Sequence, residues 1–386
     1  MTDIDLREFD EIRPYEDSEL APVFEELIAD EAFRKAVSGI LPKVPFELIA
    51  AKMRICKTKQ DFQKTFSYDI IRSIIDQYTT GLSLDDSALN DRVTPYLYLS
   101  DHRDIILDAA FLAVLLLDRD MDTVEIAIGD NLLIYPWIKK LVRINKAFIV
   151  QRTLPMRQML DASKRMSSYM HYVIKSKKGS IWMAQREGRA KDSNDRTQES
   201  VLKMLAMGGE GDFIDRLIEM NIVPLSISYE YDPCDYLKAQ EFQLKRDIEG
   251  YKKSTKDDLK SMQVGMFGQK GKVHYQMSKC INSELIQIDR NLPKAEIYNI
   301  VSAIIDRHIH RNYRLYTSNY IAHDLLTDKD EYADKYTSEE KEEFSAYIEE
   351  QLDKIDLPDK DVPFLREKLL LMYANPVTNY MAAVNV

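Results

Sequence analysis

Cysteine is scarce in this chain. Cys56, Cys234 and Cys280 are its only three, far apart and in no CxxC pair, which excludes a disulfide framework and a cysteine-based zinc site. A reducing compartment is the expectation. Long apolar runs are missing too: the longest, residues 109–117, is nine residues, against the roughly 20 that a membrane-spanning helix needs. Residues 1–30 are acidic, with no apolar run behind a basic start, so they do not read as a secretory signal and the chain is expected to stay inside the cell. Low-complexity and repeated segments are also lacking. With 45% hydrophobic and 30% charged residues the composition is that of a globular protein, and 386 residues can bury a sizeable core in one large domain or in two.

Positive charge is short overall. The formal net charge of −11 argues against general nucleic-acid binding. The deficit is uneven, however: residues 137–203 hold 16 Lys and Arg against 5 Asp and Glu, whereas residues 1–30 hold 11 acids and 2 bases. Such a basic segment calls for an anionic partner. Its Lys139, Lys140, Arg143, Lys164, Arg165, Lys175, Lys177 and Lys178 would attract anionic lipid, so peripheral attachment to a membrane surface is expected.

Residues 1–88 read as a helical N-terminal region, with apolar residues three and four apart over 21–38 and 61–77. From 89 to 285 short β-rich runs alternate with helical stretches, the pattern of an α/β domain with a largely parallel central sheet flanked by helices. Strands are predicted at 95–100, 123–128, 147–151, 180–185, 222–229 and 272–277, mostly as continuous apolar runs suited to a sheet covered on both faces. Between the third and fourth, Pro155 suits a first helical turn, and Met156, Met159, Leu160, Met170, Val173 and Ile174 form a stripe expected in the core. Residues 286–386 return to helical patterns as a C-terminal addition, at 295–310 and at 338–355 with Ser338 as N-cap. A last amphipathic segment, 364–373, is expected to pack on the body rather than on lipid.

The sharpest local feature is Ser100-Asp101-His102-Arg103-Asp104-Ile105-Ile106-Leu107-Asp108, which follows a predicted strand and opens a predicted helix. Open α/β sheets place ligands at such carboxyl ends of parallel strands. A histidine there meets substrate while a carboxylate fixes its ring, the pairing that general-base catalysis requires. His102 is the expected base, with Asp108 as its natural partner and Asp104 as the other available carboxylate. His-Arg-Asp also opens the catalytic loop of protein kinases, but the metal-binding Asn of that loop would fall at Ala109, and the sequence has neither the glycine-rich loop nor the Asp-Phe-Gly triplet. The other histidines, His171, His274, His308, His310 and His323, lack such company. His308 and His310 would point to different helix faces, and no metal is expected.

Four blocks over about residues 96–232 resemble the glycerolipid acyltransferase superfamily, which includes glycerol-3-phosphate and 1-acylglycerol-3-phosphate acyltransferases, and most of all its bacterial glycerol acyltransferase homologues. Ser100 to Asp108 is similar to the family's His, four residues, Asp motif, with Asp108 one residue further away. Lys146-Ala147-Phe148-Ile149-Val150-Gln151-Arg152 is similar to the Gly-x-x-x-x-x-Arg strand motif, Lys146 standing where glycine is usual. Gly129-Asp130-Asn131-Leu132 and Pro136 resemble the segment before it. Trp182-Met183-Ala184-Gln185-Arg186-Glu187-Gly188-Arg189-Ala190-Lys191 is similar to the aromatic-x-Glu-Gly-Thr/Gly-Arg-Ser block, in a register that matches either Glu187-Gly188 or Arg189. Asn221-Ile222-Val223-Pro224-Leu225-Ser226-Ile227-Ser228-Tyr229-Glu230 resembles the Val/Ile-Pro-Val strand.

The resemblance implies an enzyme of phospholipid biosynthesis in which His102 deprotonates an acceptor hydroxyl, Asp108 or Asp104 orients it, and Arg152 holds the acceptor phosphate in bidentate fashion. Arg103, Arg186, Glu187, Gly188, Arg189 and Lys191 are the further substrate contacts it implies. The acceptor is glycerol 3-phosphate or 1-acylglycerol 3-phosphate. The acyl thioester is acyl-CoA or acyl carrier protein, a co-substrate rather than a cofactor. Direct transfer needs no covalent enzyme intermediate, and backbone N–H groups of the helix opened by Arg103 and Asp104 would stabilise the oxyanion. The expected location is the inner face of the cytoplasmic membrane. Two rivals are a non-catalytic lipid- or carrier-binding module of the same fold and an O-acyltransferase with an amino-lipid acceptor.

Overall fold

The six predicted runs become strands, and one more joins them. In the computed structural model, which describes residues 6–385, the strands are β1 (Gly81–Asp85), β2 (Leu97–Ser100), β3 (Glu125–Gly129), β4 (Ala147–Val150), β5 (Ile181–Ala184), β6 (Ile222–Tyr229) and β7 (Lys272–Met277), in one sheet of order β1-β7-β6-β2-β5-β3-β4. β2 to β6 run in one direction; β7 is antiparallel to β6, and β1 is parallel to β7. The fold is therefore α/β, a largely parallel sheet with helices on both faces and helical additions at both ends.

Alternate residues of the strands feed two cores. Leu97, Leu99, Phe148 and Ile222 face the helices Met156–Tyr172, Glu199–Leu205, Phe213–Glu219 and Lys294–Arg311, while Tyr98, Val223, Leu225 and Ile227 face the helices Tyr68–Tyr78 and Leu107–Leu117. This two-sided burial is what the unbroken apolar texture of the strands reflects. Two further apolar clusters hold the additions: one from residues 20–66 against Ile144, the other from the helices Thr317–Thr327, Ser338–Asp353 and Val362–Val384.

The body takes in more of the chain than residues 89–285. β1 lies within residues 1–88, where the pattern predicts helix alone. It pairs with β7, but its five residues bury only Leu84, and two alternating leucines are too short a signal to stand out beside a helix. At the other end, Ile297, Val301, Ile304, Ile305 and Ile309 belong to a core on the sheet itself, so the Lys294–Arg311 helix is part of the α/β body. β4 is an edge strand, and its open side is covered by the chain just before the first helices: Ile12 O accepts from Ile149 N at 2.8 Å, and Phe9 packs edge-on against Tyr169.

Two local expectations are corrected and a third holds. The N-cap of the Ser338–Asp353 helix is Thr337, whose hydroxyl accepts from Glu340 N in a capping box, because the helix starts one residue earlier than its first acid implies. The stripe after Pro155 splits: Met170, Val173 and Ile174 are buried, but Met156 is 91% and Leu160 65% exposed, since that helix joins the apolar core only from Met166 onward. Residues 364–373 do pack inward, as part of the 23-residue helix Val362–Val384 that buries Leu365, Leu369, Leu370, Met372 and Tyr373. Among the described residues no helix is long and apolar enough to cross a membrane.

Candidate active site

The register of the parallel strands decides what meets at their carboxyl ends. Ser100 of β2 pairs with Ala184 of β5, so His102 and Arg186 each lie two residues beyond the same rung. Gly129 of β3 pairs with Val150 of β4, which carries Arg152 two residues past its end. Asp130, next in line after β3, ties these loops together by accepting from Arg152 N at 3.0 Å and from the Thr153 hydroxyl at 2.6 Å. Burial opposes its ionisation, yet these hydrogen bonds hold the Asp130 carboxyl below its ordinary value.

His102 Nδ1 lies 2.7 Å from Asp108 Oδ2, and Asp108 is fully buried. The carboxylate also accepts from Arg103 N at 2.7 Å, so backbone and ring are fixed by one group. The irregular chain of 101–106 absorbs the fifth intervening residue, which is how a His and an Asp six apart still meet. Asp104 has a different task. Its Oδ1 accepts from Ile106 N and Leu107 N at 2.9 and 2.7 Å and thereby starts the Leu107–Leu117 helix. Trp182 stands edge-on to the imidazole, ring centres 5.9 Å apart, and is itself anchored by Nε1 donating to Ser100 Oγ at 3.1 Å. With Nδ1 engaged and no protein group among the described residues bonded to Nε2, the imidazole side chain, 15% exposed, presents Nε2 for proton transfer.

The cations divide into two groups. Arg152 is exposed and its Nη1 reaches Glu187 Oε1 at 3.4 Å, a screened contact that leaves the guanidinium free to exchange partners. Arg186 is half-buried, with its Nε unpartnered. Gly188 turns the chain at φ 66°, in the left-handed region glycine favours. Lys146, where the resembled motif carries glycine, likewise has φ 63°; its Nζ donates to Asp122 at 2.7 Å and to Thr123 O, which compensates the strained backbone.

The other three cations of the expected substrate contacts, Arg103, Arg189 and Lys191, point inward. Arg103 is buried and pairs with both Asp101 and Asp195 at 2.8 Å, donates to Ile227 O at 3.3 Å and lies over the Tyr313 ring. Burial pushes the Asp101 carboxyl upward, against the pull of Arg103. Arg189 is buried too, and although burial opposes its charge, Cys234, Asp104 and Asp232 beside it raise its basicity. Lys191 reaches Glu241 at 3.3 Å, and burial with Arg189 close by lowers its ammonium to about 8. The backbone N–H groups of Arg103, Ile106 and Leu107 are likewise spent on Asp108 and Asp104, so they are not free to hold an oxyanion.

Trp182, Asp101, Asp195 and Tyr313 complete the support of the histidine loop. The last two are 92 and 210 residues from Arg103, a separation no local pattern bridges. Gly265, on the Thr255–Phe267 helix, is another such contact: a Cβ there would collide with Asp104 Oδ2. Gly265→Ala is expected to destabilise the fold by ~1–3 kcal/mol, measured as a lower urea midpoint.

A cleft of about 840 Å³ opens beside β4 between the helices Pro136–Ile144 and Met156–Tyr172. Asp130, Gln151, Leu133, Ile149, Leu154 and Arg165 are among its walls; neither His102 nor Arg152 is. It adjoins the site through Asp130, which bonds the Arg152 backbone.

A scan against protein-family models and a search of curated proteins each return no match. Among solved structures, the crystal structure of the 1-acyl-sn-glycerophosphate (LPA) acyltransferase PlsC from Thermotoga maritima is similar over 76% of this chain and 96% of that chain, with a TM-score of 0.38 and 10% identity. A likeness at that level bears on neither the site residues nor the reaction.

Proposed function

We propose that the chain is an acyltransferase that moves a fatty acyl group from a thioester, acyl-CoA or acyl carrier protein, to a hydroxyl of glycerol 3-phosphate or 1-acylglycerol 3-phosphate. The observation that carries this reading is the 2.7 Å contact of a buried Asp108 with His102 Nδ1, at the strand ends where Arg152 and Arg186 also emerge. Asp108 holds the proton on Nδ1 and supports the positive ring, so Nε2 accepts the proton of the acceptor hydroxyl. The alkoxide oxygen attacks the thioester carbonyl, the carbon–sulfur bond breaks, and the thiolate leaves with the proton from His102. Arg152, exposed and only loosely held by Glu187, is the phosphate contact; Arg186 adds charge.

The test supplies purified protein with acyl-CoA and acyl carrier thioesters and a panel of phosphorylated and neutral acceptors. Consumption of thioester that needs a phosphorylated acceptor supports the reading, and none with any acceptor sinks it. Arg152→Ala is expected to raise KM for a phosphorylated acceptor on the order of 10-fold, with kcat nearly unchanged, because the lost contact is present before and during the chemical step. Steady-state kinetics at fixed ionic strength check this.

A second reading, a non-catalytic lipid- or carrier-binding module, is favoured by one observation: the 840 Å³ cleft excludes His102. On that reading His102→Ala leaves ligand affinity intact and there is no turnover to lose.

A further inference from the structure

We propose that the exposed first turns of the Met156–Tyr172 helix, with Tyr135 across the cleft, form the surface by which the protein docks on an anionic lipid leaflet. Met156 is 91% and Leu160 65% exposed, and their spacing of four puts them one above the other on one helix face. Two large apolar side chains left in water one turn apart are costly unless something covers them. Nothing among the described residues does.

Across the cleft from this helix stands the Pro136–Ile144 helix, which contributes Lys139 to the wall opposite Gln158 and Asp161. Tyr135, just before it, is 47% exposed and stacks on Trp137 with ring centres 6.4 Å apart and planes within 7°. Tyrosine and tryptophan favour the headgroup level of a membrane, where an apolar ring and a polar edge are both satisfied. Both rims thus carry an apolar or aromatic group.

Charge identifies the occupant. Lys139, Arg152, Arg157 and Lys164 are exposed around these groups, against Asp161 on the same helix and three acids already engaged: Glu187 with Arg152, Glu11 with Arg165, and Asp130 with Arg152 N and the Thr153 hydroxyl. A side chain as bare as Met156 projects from the body, a shape suited to insertion among lipid headgroups rather than to receiving a partner helix, whereas the surrounding cations match anionic phosphates. Arg152 lies four residues before Met156, so a docked protein would hold its strand-end site against the bilayer. The inference deepens the acyltransferase reading by naming the lipid surface that supplies its acceptor; its test does not use turnover.

Co-sedimentation of the full chain with vesicles of phosphatidylcholine, alone or with phosphatidylglycerol added, decides it. The protein is expected to bind the anionic vesicles, less so as salt rises, and M156E/L160E to lose at least about 10-fold in partition with its unfolding midpoint unchanged, since both side chains are already in water. R157E/K164E should also weaken binding and flatten the salt dependence. Equal binding by M156E/L160E, equal binding to phosphatidylcholine alone, or an apolar tip needed for an acyl carrier protein but not for vesicles overturns the proposal. His102→Ala separates the two readings: it should bind vesicles as the unaltered protein does, so a site without catalytic activity would leave this result standing.

Discussion

Asp108→Asn is expected to lower turnover by on the order of 10²-fold or more, close to the loss from His102→Ala, while Asp104→Asn changes it only a few-fold. Asp108 is buried and meets both His102 Nδ1 and Arg103 N with one oxygen. An amide of the same shape leaves the volume filled but no longer supports the positive ring, and if its nitrogen faces Nδ1 it favours the tautomer with the proton on Nε2, the atom that must be bare. The loss then falls on kcat, with KM for the acceptor preserved because no substrate contact is touched. Asp104 uses Oδ1 to accept from Ile106 N and Leu107 N, which an asparagine oxygen does as well, since Asp and Asn cap helices about equally. Steady-state rates for the three folded variants decide the matter. If Asp108→Asn keeps its rate, or if Asp104→Asn loses as much, the carboxylate that orients the base has been misassigned.

Most strands of this fold were legible because they are short, nearly unbroken apolar runs, and a sheet covered on both faces produces that texture directly. β1 escaped because only Leu84 of its five residues is buried, whereas β4, also an edge strand, buries three. At the site, His102 stood out through its position after β2, but the choice between Asp104 and Asp108 depends on how the loop of 101–106 folds, which residue spacing does not report. Arg103 and Arg189 illustrate the larger gap. In sequence they are cations beside a candidate base; in the fold their partners, Asp195 and Asp232, come from distant segments and turn them inward. The same holds for Met156 and Leu160, whose helical spacing is identical whether or not the helix has yet joined the core there.

Arg103→Met should cost ~3–5 kcal/mol of stability, because it strands Asp101 and Asp195 as buried carboxylates without their shared counter-ion. Both acids are fully buried, so nothing from solvent replaces the lost cation. The pH dependence has a definite sign. Burial already pushes Asp101 above its ordinary value of 3.8, and removing the guanidinium that opposes this pushes it higher still, so the folded variant binds more protons than its unfolded chain. Its stability therefore falls as pH rises through that range, and the deficit relative to the unaltered protein should be larger at high pH than at low pH in urea titrations. Adding Asp195→Asn to Arg103→Met should recover part of the loss, since one stranded charge is then gone. A phosphate-binding role for Arg103 predicts the reverse pattern: unfolding unchanged, KM for the acceptor raised, and no recovery from the second substitution.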